Sequence, residues 1–179
     1  MDYPQERDWE IVFQWRLIAV EKNKVKWYER AVRPPWVRLI LTNAEWKYIL
    51  TKEFRHEQWG FDYRLPWGKV VDTLQSYIDI RYDVTLLEKA IHEAAYIEAK
   101  EEVGVDKISD LKILSKSKDW ASVEWDLYYM TWIATHFGKQ DLWWDELIDG
   151  IQVWFYSRQE VLSMISNWEV KEERSIAVL

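Results

Sequence analysis

Cysteine is absent from this chain of 179 residues. That excludes disulfides, thiolate zinc sites and a cysteine nucleophile together, and it fits a cytoplasmic setting. Glycine (5) and proline (4) are scarce, so long disordered or collagen-like stretches are not expected. The three histidines, His56, His92 and His136, do not have the spacing of a metal-ligand set. No apolar run reaches the roughly 18 residues of a membrane span. The first residues, MDYPQERDWE, are too acidic and polar for a cleavable leader. Positive charge is also short: the formal net charge is -7. A general polyanion binder needs clustered Lys and Arg, so no DNA partner is expected.

What is present suits one domain, or one domain with a small annex. Hydrophobic residues make up 49% of the chain, enough for a core, and 14 are tryptophan. Most of these are expected to pack in the core, at edges and in a subunit interface. One or two are candidates to stack on a nucleobase.

Periodicity predicts strands over 11–20, 25–32, 36–41 and 48–54. The segment 70–83 has no clear period and reads as a loop or short helix. The clearest helix runs over 85–103. There Leu87, Ile91, Ala95, Ala99 and Val103 step by four, Thr85 and Glu88 fit a capping box, and Gly104 ends the turn. Further strands are expected over 111–114, 123–134 and 151–156. A loop is expected over 138–150, and a helix capped by Ser157 over 159–167. Strands, helix, strands and helix in this order describe an α+β fold, an α/β/α sandwich with a mixed sheet.

The informative stretch is Glu98-Ala99-Lys100-Glu101-Glu102-Val103-Gly104-Val105. Residues three and four apart are neighbours on a helix, so Glu98, Glu101 and Glu102 share a flank beside the apolar stripe. They repel one another near a helix C-terminus, where the macrodipole also disfavours negative charge. A divalent cation offsets that repulsion, and Mg²⁺ (or Mn²⁺) is the hard-oxygen partner. A solvated acidic face is the other reading of the same run.

Upstream stands Leu65-Pro66-Trp67-Gly68-Lys69-Val70. Together the two segments resemble the Nudix box, G-x5-E-x7-R-E-U-x-E-E-x-G-U with U aliphatic. Its usual opening L-P-G-G-K-V is matched by residues 65–70, and its closing R-E-U-x-E-E-x-G-U by residues 97–105. Trp67 replaces the first glycine of the pair. Ile97 stands where the family has an arginine that holds a catalytic glutamate. An insertion over 71–84 lengthens the spacing, and the mid-box glutamate has two counterparts, Glu88 and Glu93. Residues 47–64 are similar to the strand and loop before the box in ADP-ribose and nucleotide-sugar pyrophosphatases. Residues 123–129 fit the strand after the box, and 172–179 fit the start of a C-terminal helix.

The resemblance implies a Nudix fold, with residues 1–34 as an N-terminal β-annex used to dimerise and 35–179 as the hydrolase domain. It implies Mg²⁺ held by Glu98, Glu101, Glu102 and the backbone carbonyl of Trp67, with Gly68 and Gly104 shaping the motif. Arg55, Arg64 and Lys69 are the expected contacts to substrate phosphates. Glu146, in the acidic loop after the box, is the expected general base; an ordinary acidic turn is the alternative there. The expected reaction is cleavage of the pyrophosphate bond in a nucleoside diphosphate linked to another group, such as ADP-ribose or a nucleotide sugar, giving AMP and a sugar phosphate. A house-cleaning nucleoside triphosphate or RNA 5′-end pyrophosphohydrolase is one alternative. A nucleotide-binding module with impaired turnover is another, and a purely structural protein is the last.

Overall fold

The computed structural model describes residues 8–56, 58–118 and 122–179. Along the chain come β1 (Trp9–Gln14), β2 (Ala19–Asn23), β3 (Glu29–Val32), β4 (Trp36–Asn43) and β5 (Tyr48–Arg55). Next are β6 (Gly60–Arg64), β7 (Trp67–Lys69), α1 (Leu74–Ile80), α2 (Val84–Val103) and β8 (Val105–Ser117). Then follow β9 (Val123–Glu124), β10 (Leu127–Phe137), α3 (Trp144–Asp149), β11 (Gln152–Tyr156), α4 (Arg158–Ser166) and α5 (Glu173–Ile176).

A four-stranded sheet has the order β1-β2-β3-β9, and a seven-stranded sheet has the order β11-β5-β4-β10-β8, with β6 beside β5 and β7 beside β4. The large sheet is mixed: β10 runs parallel to β4 and antiparallel to β8. Alternation along β4 sends Val37, Leu39 and Leu41 to one face, where they meet Ile91, Ala95, Ala99 and Val103 of α2. Ile40 points the other way, into a second core with Leu50, Leu65, Tyr129, Val161 and Met164. Helices therefore cover both faces, giving the mixed α+β architecture expected.

Helix α2 ends as its sequence demands. Gly104 takes φ 75°, and its N–H returns to the carbonyls of Ala99 and Lys100. A side chain at Gly104 would also meet the Gly138 carbonyl oxygen at 2.7 Å. The start differs from expectation. Asp83 is the cap, accepting from the N–H groups of Thr85 and Leu86, because a carboxylate reaches two free amides at the positive end of the helix. The apolar segment over 11–20 is two strands, with Trp15 N–H closing a turn onto Ile18 carbonyl. Between the 65–70 and 97–105 segments the chain forms α1, capped by Thr73, ahead of α2. Leu74 and Tyr77 of α1 bury against Ala19 and Val32, so this helix docks on the N-terminal sheet.

The tryptophans occupy contrasting settings. Trp132 is in the core, but Trp27, Trp46, Trp59 and Trp168 are exposed and have positive φ. They sit at chain reversals, where the left-handed backbone is set by the turn and not by burial of the ring. No helix among the described residues is long and apolar enough to cross a membrane.

Candidate active site

The site forms where the C-terminal half of α2 meets β7. Strand β7 pairs with β4 through Trp36↔Lys69, Val37↔Gly68 and Arg38↔Trp67. That pairing brings the Pro-Trp-Gly segment alongside the last turns of α2. The Trp67 N–H donates to Glu102 Oε2 at 3.1 Å, and Glu102 is buried. A burial cost of this size for a carboxylate is met only by hydrogen bonds or opposite charge, and the amide of Trp67 supplies one. Glu98 lies directly on Gly68: a Cβ there would stand 1.6 Å from Glu98 Oε1. Only glycine leaves that space. The 65–70 and 97–105 segments therefore meet, although α1 lies between them in sequence.

A cleft of about 330 Å³ opens here, lined by Trp36, Glu53, Arg55, Trp67, Gly68, Lys69, Glu98, Glu102, Asp149 and Ile151. Trp36 and Trp67 stack with ring centroids 4.1 Å apart and planes at 19°. Trp67 is thus held by a second tryptophan. The Arg55 guanidinium lies 5.8 Å from the Trp67 ring, a favourable cation–π distance.

Four carboxylates line the cleft against two cations. Glu53 has its proton affinity raised, first by burial; Arg64 and Arg55 oppose the shift, and the charges of Asp149 and Asp62 add to it. Arg64 Nε lies 3.0 Å and Arg55 Nη1 3.4 Å from Glu53 Oε1. His56 Nε2 stands 3.2 Å from Asp149 Oδ1.

The expected site residues divide. Glu98, Glu102, Arg55, Lys69, Gly68 and Trp67 come together. Glu101 is half-buried and does not line the cleft; its carbonyl accepts from Asp141 N–H. Arg64 is buried, paired with Glu53 and with Asp62 at 2.6 Å, and also does not line the cleft. Glu146 lies on α3, where a loop was expected, and its side chain is outside the described residues. Ile97 is exposed on α2.

Glu53 and Asp149 were not singled out by sequence. A signal for Glu53 existed: Ile49, Thr51, Glu53 and Arg55 share one face of β5, and a glutamate on the buried face of a strand calls for a partner. Asp149 had none, since α3 reaches the cleft only through tertiary folding.

Among the described residues no three His, Asp or Glu side chains gather closely enough to hold a metal ion by themselves. The donors along the cleft are nevertheless hard carboxylate oxygens. Mg²⁺ is commonly bound by one or two carboxylates together with substrate phosphates and water, not by an all-protein cage. Glu98 and Glu102 fit that mode.

No family model matches the chain, and no curated protein matches its sequence. Among solved structures, the crystal structure of an ADP compounds hydrolase is similar, with a TM-score of 0.60 over 99% of this chain and 90% of that chain. Sequence identity is 19%, so what the two proteins share is a fold.

Proposed function

We propose that this chain is a Nudix-type hydrolase that cleaves the pyrophosphate bond of a nucleoside diphosphate joined to a second group, with ADP-ribose and nucleotide sugars as its substrate class. The observation that carries this reading is the contact between the two box segments: Glu98 on Gly68, and Glu102 on the Trp67 amide. Similarity in fold to an ADP compounds hydrolase adds support.

Arg55 and Lys69 supply positive charge for the diphosphate. Glu98 and Glu102, with the Trp67 carbonyl, are the groups to hold Mg²⁺. When bound, the ion neutralises phosphate charge and lowers the pKa of a coordinated water. Water oxygen bonds to phosphorus, the bridging P–O bond breaks, and the leaving phosphate takes the electron pair. The water proton needs an acceptor. Glu53 lines the cleft with raised proton affinity, and Glu146 lies on the same short helix as the lining residue Asp149. The exposed apolar side chains of β1, among them Phe13 and Val12, support a homodimer through the N-terminal sheet.

The test is a substrate panel with Mg²⁺ and product analysis, run beside Glu102→Gln. AMP released from ADP-ribose or a nucleotide sugar, reduced about 100-fold or more by the substitution, is the expected result. Pyrophosphate released from a nucleoside triphosphate moves the protein to the house-cleaning class. Binding without turnover points to the impaired module, which the exposed Ile97 and the Trp36–Trp67 stack favour.

A further inference from the structure

The contact between Trp67 and Glu102 depends on where the Leu65-Pro66-Trp67 backbone is held. On α2, Glu102 accepts from the Trp67 amide, while Ile97, where the resembling family carries an arginine that holds a glutamate, is exposed. A different arginine reaches this backbone from the other face of the sheet. Arg38 of β4 is buried, with 2% exposure. Its Nη1 donates to the Leu65 carbonyl at 3.1 Å, and its Nη2 lies 3.1 Å from Glu172 Oε1. Its guanidinium stands 5.3 Å from the Trp67 ring.

Glu172 comes from the C-terminal segment, and so does Ser175, which is fully buried. The Ser175 hydroxyl accepts from Leu65 N–H at 3.1 Å and donates to Glu172 Oε2 at 2.7 Å. Both backbone groups of Leu65 are therefore bound, one by Arg38 and one by Ser175. The same segment is stitched down twice more: Lys171 N–H donates to Asp62 Oδ1 at 3.0 Å, and Tyr63 N–H donates to the Glu169 carbonyl at 3.3 Å. A buried arginine loses stability through desolvation unless its partners are held in place. Here desolvation lowers the pKa of Arg38, while the charges of Glu172 and then Glu102 oppose that shift. The Arg38 Nε–H finds no hydrogen-bond partner among the described residues.

We infer that Arg38, Glu172 and Ser175 form a buried clamp by which the C-terminal segment positions Trp67, and through its amide Glu102, in the role left vacant at Ile97. These are positioning residues, since none of them lines the cleft. That the clamp serves turnover rests on the hydrolase reading; that it fixes the Trp36–Trp67 stack does not.

The experiment compares Ser175→Ala, Arg38→Lys and Arg38→Met in the full chain. Two readouts are taken: kcat and KM on the substrate found in the panel, and the circular-dichroism band of the stacked tryptophans, assigned as the signal lost in Trp67→Phe. Ser175→Ala is expected to melt cooperatively, lower kcat about tenfold with KM within about twofold, and weaken the tryptophan band. Arg38→Lys should retain more of both than Arg38→Met. Should Arg38→Met fail to fold, Ser175→Ala and Arg38→Lys decide. Folded variants with unchanged kcat and an unchanged band overturn the clamp. A native protein without turnover on any substrate overturns the hydrolase reading instead, and the band alone then settles the clamp.

Discussion

Two clusters of buried charge face different demands. In the N-terminal one, Glu21 of β2 is almost fully buried and meets Arg30 at 2.8 Å and Arg81 at 2.7 Å, while Glu124 pairs with Arg30 and takes a hydrogen bond from Tyr77. Two acids face two arginines, and the group ties β2, β3, β9 and the end of α1 together. Along the cleft, four carboxylates and two cations line the wall, and Arg64 behind it also pairs with Glu53. A balanced cluster needs nothing further to be stable. A cluster whose lining carries more acids than cations, built around a glycine that only just admits a glutamate, is the candidate for binding a cation or for chemistry. The lesson is that burial of charge is not itself a mark of function; imbalance beside a cavity is.

The comparison breaks most sharply at Glu21. Replacing it with Ala leaves Arg30 and Arg81 sharing one remaining carboxylate, Glu124, in a largely buried site, and we expect a loss of about 3 kcal/mol in urea unfolding. Turnover per folded molecule should be unchanged. An unaltered midpoint would show that the network is idle.

At Gly68 the balance of effects reverses. Gly68→Ala forces Glu98 aside. The clash reaches Cδ and Cγ of Glu98 as well as its tip, but it involves one side chain and no backbone, so the loss of stability should be smaller than at Glu21. On the proposed function, displacing Glu98 by about 1 Å costs on the order of 100-fold in rate. Equal loss of stability and turnover would refute this division.

Glu53 separates the clusters by pH. Its folded pKa lies above the ordinary 4.5 because of burial. The folded state then holds the proton more tightly than the unfolded chain. Stability from this group is complete below about 4.5 and declines as pH rises through the folded value. The stability of the native protein relative to Glu53→Gln should therefore grow as pH falls from 7 toward 5, read by thermal melting at each pH. A constant difference would mean the shift is absent.

The smallest effect is expected at Ile97. An arginine there extends into solvent, so Ile97→Arg should leave turnover within about twofold and stability within about 0.5 kcal/mol. A large gain in rate would show that the clamp on the opposite face does not replace the box arginine.

Helix α2 was legible because its stripe, its closing glycine and its carboxylates all follow one period of 3.6 residues. The paired box segments were legible because proline and glycine punctuate them. Strand β8 spans Val105–Ser117, far longer than the expected 111–114. Polar and charged residues along it hide its alternation, and only pairing with β10 fixes it as a strand. Helix α3 reads as a loop because its apolar residues Trp144, Leu147 and Ile148 are exposed and so write no inward stripe. Arg38 lies in a run of β-formers, and nothing local tells that its partners stand at 172 and 175. Asp149 escaped for the same reason: its place in the cleft is set by contacts distant in sequence.

Helix α1 carries one more implication. Its first amide is bound by the Arg16 carbonyl, and Arg81, just past its end, is held by Glu21. The extra residues between the box halves are thus anchored at both ends on the small sheet, and the chain returns to α2 without straining the Gly68–Glu98 contact. Distance along the polymer between the two segments is consequently free to drift, while their distance in space is not. Deleting α1 would unfasten the small sheet before it disturbed the acids.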